Sequence, residues 1–291
     1  MVTKTNEEGP SVIFIRVIRG LDAFKQADIR TDPCGLSDVG MIRRLRRMNL
    51  LPVVPCLVLA GSLAAFAGEH VIVIDPGHGG AHDAGTQAER TLSAANNATS
   101  PGKVLEKDLT LELSQEIVKQ IKLLAEKHPA THLVSVMTRT KDENPDFSQR
   151  AAICAKANPA AIFSVHFNAS ENHKSLGTLA VVYTKTLNAN YAADEAFAEV
   201  LVHAADRGVK AYLPKSTAMG SISDAHLHGG AGSNFFFQLA KYPELKTVPR
   251  CFLEVEFIDR ADVDSGLLEK RKEAFPAIAR EIAEALYARF P

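Results

Sequence analysis

Five aliphatic runs recur along this chain, and each ends abruptly in polar or turn-forming residues. VIVID (71–75), HLVSVMTR (132–139), AAIFSVHFNA (160–169), GTLAVVYT (177–184) and RCFLEVEFID (250–259) are mainly apolar rather than alternating. That is the pattern of strands buried on both faces. Helical stretches separate them. In LEKDLTLELSQEIVKQIKLLAEKH (105–128), Leu109, Leu113, Ile117, Ile121 and Leu124 fall on one apolar stripe. FSQRAAICAKAN (147–158) predicts a short helix with Ser148 as N-cap, and 190–206 and roughly 262–289 predict two more. Segments 81–104 and 214–234, dense in Gly, Ser, Asn, Ala or His, read as irregular. Strands alternating with helices specify an α/β fold, a three-layer sandwich with a largely parallel central sheet flanked by helices.

Composition narrows the class. With 46% hydrophobic residues and a net charge of −1, the 291-residue chain has material for a sizeable core and no electrostatic case for a nucleic-acid partner. Its four cysteines show neither CxxC spacing nor a disulfide framework, and Cys154 and Cys251 sit in apolar settings. MIRRLRRMNLLPVVPCLVLAGSLAAFAGEH (41–70) has a basic start, a short apolar stretch and Ala65-Phe66-Ala67, the pattern of a cleaved secretory signal. It therefore predicts a signal peptide at 41–67, an upstream extension at 1–40 outside the fold with translation starting at Met41, and one exported domain at 68–291. The apolar stretch is too short for a stable membrane span in the mature form.

Ligands of open α/β sheets gather beyond the carboxyl ends of the strands. His78 follows the first strand there, His166 closes the third, and Glu254 lies within the last. Glu106 opens the long helix after a Gly-rich loop and can face the same edge. Two histidines and a carboxylate make a zinc-binding set with one position left for water. Glu254, in a Phe-Leu-Glu-Val strand, is a carboxylate that burial disfavours unless it has a partner. Asp75 is a possible acceptor for a ligand histidine.

VIVIDPGHGG, EKDLTLEL, FSQRAAICAKANPAAIFSVHFNAS and VPRCFLEVEFIDRADVDSGLL, in that order over roughly residues 70–289, resemble the four signature blocks of the zinc-dependent N-acetylmuramoyl-L-alanine amidases. The resemblance implies hydrolysis of the amide between N-acetylmuramic acid and L-alanine in peptidoglycan. It implies one Zn2+ per chain on His78, Glu106 and His166, and Glu254 as catalytic acid–base. Glu256, two residues on and so expected on the same strand face, is the fallback. The substrate is then peptidoglycan or a muropeptide, and the place of work the periplasm or cell envelope. No residue pattern identifies a protein activator. The chain departs from the family in AHDAGTQ after its HGG.

Segment 214–234 is longer than a link between helix and strand requires. It is expected to border the substrate groove, with Asp224, His226 or His228, and Asn168 beside the third strand, touching substrate. A non-catalytic wall-binding or regulatory module would keep the fold and lack a metal donor, and none is missing. Neither an H-x-x-E pair nor an H-E-x-x-H helix points to another zinc hydrolase.

Overall fold

A computed structural model describes residues 69–227 and 232–291. The expected signal peptide at 41–67, the expected upstream extension at 1–40 and His228 lie outside the described residues. Six strands, β1 (His70–Pro76), β2 (Leu133–Met137), β3 (Ala161–Asn168), β4 (Thr178–Val182), β5 (Ala218–Ser223) and β6 (Arg250–Phe257), form one sheet in the order β2-β1-β3-β6-β4-β5. β2, β1, β3 and β6 are mutually parallel, whereas β4 runs against β6 and β5 follows β4.

Alternation along the strands divides the core into two layers. Ile72, Ile74, Phe163, Val165, Phe167, Leu253 and Val255 face α1 (Glu106–Ala125), α3 (Tyr191–Lys210) and α6 (Arg271–Arg289). Val73, Ile162 and Phe252 face α2 (Phe147–Ala157) and α4 (Asn234–Leu239). The fold is the expected three-layer sandwich. The predicted stripe of α1 is buried along its whole length, with Glu106 and Asp108 in the first turn where the helix dipole favours negative charge. Cys154 lies in one layer and Cys251 in the other. Both are free and buried, and burial raises both thiols well above their ordinary value. No helix among the described residues is long and apolar enough to cross a membrane.

Three sequence expectations change. Asp146, not Ser148, caps α2: its side chain accepts from the Gln149 N–H, and Gln149 closes a capping box. Ser148 Oγ instead donates to Asp146 at 2.6 Å. Segment 214–234 is not wholly irregular, because 218–223 is an edge strand that accommodates Gly220 at φ 75°. The last helical stretch is broken into a turn of helix α5 (Ala261–Val263), a π-helical turn over 264–268, and α6.

Candidate active site

The four parallel strands deliver their polar ends to one edge. β1 runs into Gly77 and His78, and His78 sits in the left-handed region at φ 61°. A non-glycine residue holds that conformation at a cost of order 1 kcal/mol, so its surroundings must impose it. Gly77 has a different reason to lack a side chain. A Cβ there would meet the His166 ring at 2.3 Å, so the glycine clears the space that this imidazole fills.

His78 Nδ1 lies 2.9 Å from the Ala94 carbonyl oxygen. A carbonyl only accepts, so Nδ1 carries a proton there, and Nε2 is the nitrogen that faces Glu106. His78 Nε2 lies 3.2 Å and His166 Nδ1 3.0 Å from Glu106 Oε1. The donor atoms of the three residues lie within 4.8 Å of one another. Tetrahedral donors about 2.1 Å from zinc stand about 3.4 Å apart, close to the two separations from Glu106 Oε1, so this N,N,O set could hold a zinc ion. Loop 81–104 contributes to the surroundings: Gly79 N–H donates to Ala95 O, and Ala98 N–H to Glu106 Oε2 at 2.9 Å. Phe167 N–H donates to Glu106 Oε1 at 3.1 Å.

Burial pushes the Glu106 carboxyl up, but the His78 charge and the hydrogen bonds of both histidines hold it well below the carboxylate range. Burial pulls His78 down, and Glu106 more than offsets it, leaving His78 raised. His166 stays lowered, by burial first, against its bond to Glu106. Glu254 is pushed well up by burial and by the Glu106 charge. A bound dication would reverse that push.

Glu254 pairs in register with His166 on the adjacent strand. It is 5% exposed, and its Oε2 has no hydrogen-bond partner among the described residues. A buried carboxylate oxygen without a protein donor is expected where a water or metal completes the set. Glu256 differs. Its Oε1 accepts from Gly177 N–H (2.7 Å) and Phe257 N–H (2.8 Å), and its Oε2 from Ser216 Oγ (2.6 Å). The expectation that Glu256 shares the Glu254 face fails because the register shifts between His166 and Asn168, where β6 carries an extra residue. Phe257, not Glu256, then joins Phe252 in the layer beneath α2 and α4.

Asp75 does not orient a ligand histidine. Its carboxylate accepts from Arg150 Nη1 (2.7 Å), Ser164 Oγ (2.6 Å) and Thr138 Oγ1. Of the expected substrate contacts, Asn168 is buried at the end of β3 with Oδ1 accepting the Ala169 N–H. Asp224 is fully buried and accepts from Thr184 N–H (2.7 Å) and Ser233 N–H (2.8 Å). It ties two segments together rather than facing a ligand. His226 is exposed on the 3-10 turn after β5. Because β5 runs against β6, that turn lies level with the start of β6, away from the edge that gathers His78 and His166.

The sequence reading missed two buried cations that flank His78. Arg150 donates to Pro76 O (2.8 Å), His78 O (2.7 Å), Pro145 O (2.8 Å) and Asn144 Oδ1 (3.1 Å) besides Asp75. Arg139 donates to Pro76 O, Gly77 O and Lys107 O. Burial and the neighbouring Arg150 charge bring Arg139 down to about 10, still cationic near neutrality. The signal available was the place of Arg150 one helical turn before Cys154, on the apolar rather than the solvent-facing side of α2.

The family described as N-acetylmuramoyl-L-alanine amidase matches residues 72–288. No curated protein matches the chain. Among solved structures, the catalytic domain of the amidase CwlV from Bacillus (Paenibacillus) polymyxa var. colistinus is 22% identical, covering 76% of this chain and 99% of its own, with a TM-score of 0.52. The amidase AmiC2 of Nostoc punctiforme gives 22%, 77% and 98%, with 0.53. The amidase Ami1 of Mycobacterium smegmatis gives 19%, 77% and 97%, with 0.55. At these identities the likeness speaks for the fold.

Proposed function

The chain belongs to the N-acetylmuramoyl-L-alanine amidase family and is an amidase of peptidoglycan, and from that premise we propose a zinc-dependent hydrolase of the bond between N-acetylmuramic acid and L-alanine. His78 Nε2, Glu106 Oε1 and His166 Nδ1 are the zinc ligands in this reading. Bound zinc would polarise the scissile carbonyl and acidify water from near 15.7 towards about 7. Glu254 holds the proton of the attacking water at Oε2 and passes it to the departing nitrogen. The C–N bond breaks, leaving the lactyl carboxylate on the sugar and a free amine on the alanine. Arg150 and the Ala94 carbonyl keep His78 aimed. Peptidoglycan as substrate, together with the signal read at 41–67, supports export to the periplasm or cell envelope.

One observation carries the proposal: the unpartnered Glu254 Oε2 lies on the strand next to His166, in register with it, and His166 shares Glu106 Oε1 with His78. The test is metal content and amide cleavage on purified peptidoglycan. The parent should bind one zinc and release peptides with a new N-terminal alanine. His166→Ala should lose the zinc and Glu254→Gln should keep it without turnover. A zinc-free parent, or peptides released by another bond, overturns the reading. A parent that binds no zinc and cleaves nothing favours the wall-binding module.

A further inference from the structure

His78 and Glu106 come from different elements, a turn after β1 and the first residue of α1, with loop 81–104 between them. No ladder or helix bond fixes one against the other. Side chains do. Arg139, 2% exposed and placed just beyond β2, donates through the single nitrogen Nη2 to Gly77 O at 2.9 Å and Lys107 O at 2.8 Å. Gly77 immediately precedes His78, and Lys107 immediately follows Glu106. Arg139 Nε adds a bond to Pro76 O at 3.0 Å. Thr110, fully buried in α1, repeats the link, its Oγ1 donating to Gly77 O at 2.7 Å and accepting from Arg139 Nη2 at 3.0 Å.

We propose that Arg139 and Thr110 form a brace that sets the spacing of His78 and Glu106 and thereby the affinity for metal, with Arg139 a positioning residue that touches neither donor atom. This rests on the reading of His78, Glu106 and His166 as the zinc set. Docking of α1 does not require the brace, because Leu109, Leu113, Ile117, Ile121 and Leu124 bury that helix independently. A guanidinium leaves water at a high desolvation cost unless its hydrogen bonds are met. Here Nε and Nη2 direct theirs to the backbone flanking two donors, while Nη1 donates to Lys141 O at 3.1 Å. Residues that orient metal ligands typically alter metal affinity by about 10–100-fold when removed.

The test is zinc affinity by chelator competition, with the melting temperature of each chelator-stripped protein measured alongside. Arg139→Gln should weaken zinc by about 10–100-fold. Arg139→Lys should fall between it and the parent, since one ammonium cannot reproduce the planar fork. Thr110→Val, which keeps the shape, should weaken zinc several-fold. Phe197→Leu, in the core opposite α4, should lower the melting temperature and leave zinc affinity unchanged. Parental affinity in Thr110→Val and Arg139→Lys overturns the brace. Should the Arg139 variants fail to fold, parental affinity in Thr110→Val overturns it alone. A parent that binds no zinc, or His166→Ala that retains it, fails the ligand reading instead.

Discussion

Replacing Gly77 with alanine should remove His166 from the metal set while leaving the fold intact. The added Cβ would stand 2.3, 2.6 and 2.7 Å from His166 Cε1, Nε2 and Nδ1, where ordinary contact begins at 3.4 Å. The ring must therefore retreat by about 1.1 Å, several times the roughly 0.2 Å that metal–ligand distances tolerate. Neither route of escape is easy. Gly77 N–H is held by Val165 O at 3.0 Å, and Gly77 O by Arg139 and Thr110. Gly77 is not among the residues with positive φ, so alanine adds no backbone strain of that kind. A misplacement of 1 Å at a reacting group can cost about 100-fold in rate, and loss of a ligand should weaken zinc at least as much. Chelator competition measures the affinity, and the melting temperature of the zinc-free protein reports the fold. Gly77→Ala that binds zinc with parental affinity would falsify the packing argument.

Glu254→Gln should retain zinc and lose about 100- to 10,000-fold in turnover, whereas Glu256→Gln should stay within a few-fold, because a Gln amide can still accept at Oε1 and meet Ser216; the reverse ranking on purified peptidoglycan reassigns the base. Asp75 is held below its ordinary 3.8, the burial that raises it being outweighed by Arg150 and the Ser164 and Thr138 hydroxyls. Its contribution to stability is thus complete above that value and lost as pH falls through the lower folded one, so denaturation curves for Asp75→Asn should show a shallower acid slope than the parent. Deleting 218–223 should lower the melting temperature by stripping an edge strand from β4, and a deletion mutant as stable as the parent would show that β5 contributes no stability.

The fold was legible because unbroken aliphatic runs and the stripe of α1 each allow one burial solution. The grouping of His78, Glu106 and His166 was legible through the resemblance of their sequence blocks to the amidase family, since each residue alone is a weak signal. Other features depended on partners distant in sequence. The identity of the α2 cap turned on Asp146, one residue outside the stretch read as helical. Alternation put Glu256 beside Glu254 until the bulge against β3 reversed it. The Gly-, Ser- and His-rich composition of 214–234 concealed a strand whose side chains are only partly buried. It also concealed the role of Asp224, which depends on Thr184 and Ser233. The reversed sense of β4 and β5 leaves no local signature, and it is what moves His226 to the far edge.

Cys154 sits beneath α2 while Cys251 points into the layer under α1, α3 and α6, so the full thickness of the sheet separates the two thiols. A disulfide needs Cα atoms within about 7 Å and converging Cβ vectors, which two opposite faces cannot provide. Oxidants therefore have no intramolecular bond to make in residues 69–227 and 232–291, and reductants none to break. This part of the chain should reach the same native state on either side of a redox boundary. A preparation from a reducing cytosol and one from an oxidising envelope should then be interchangeable in melting temperature and in zinc content.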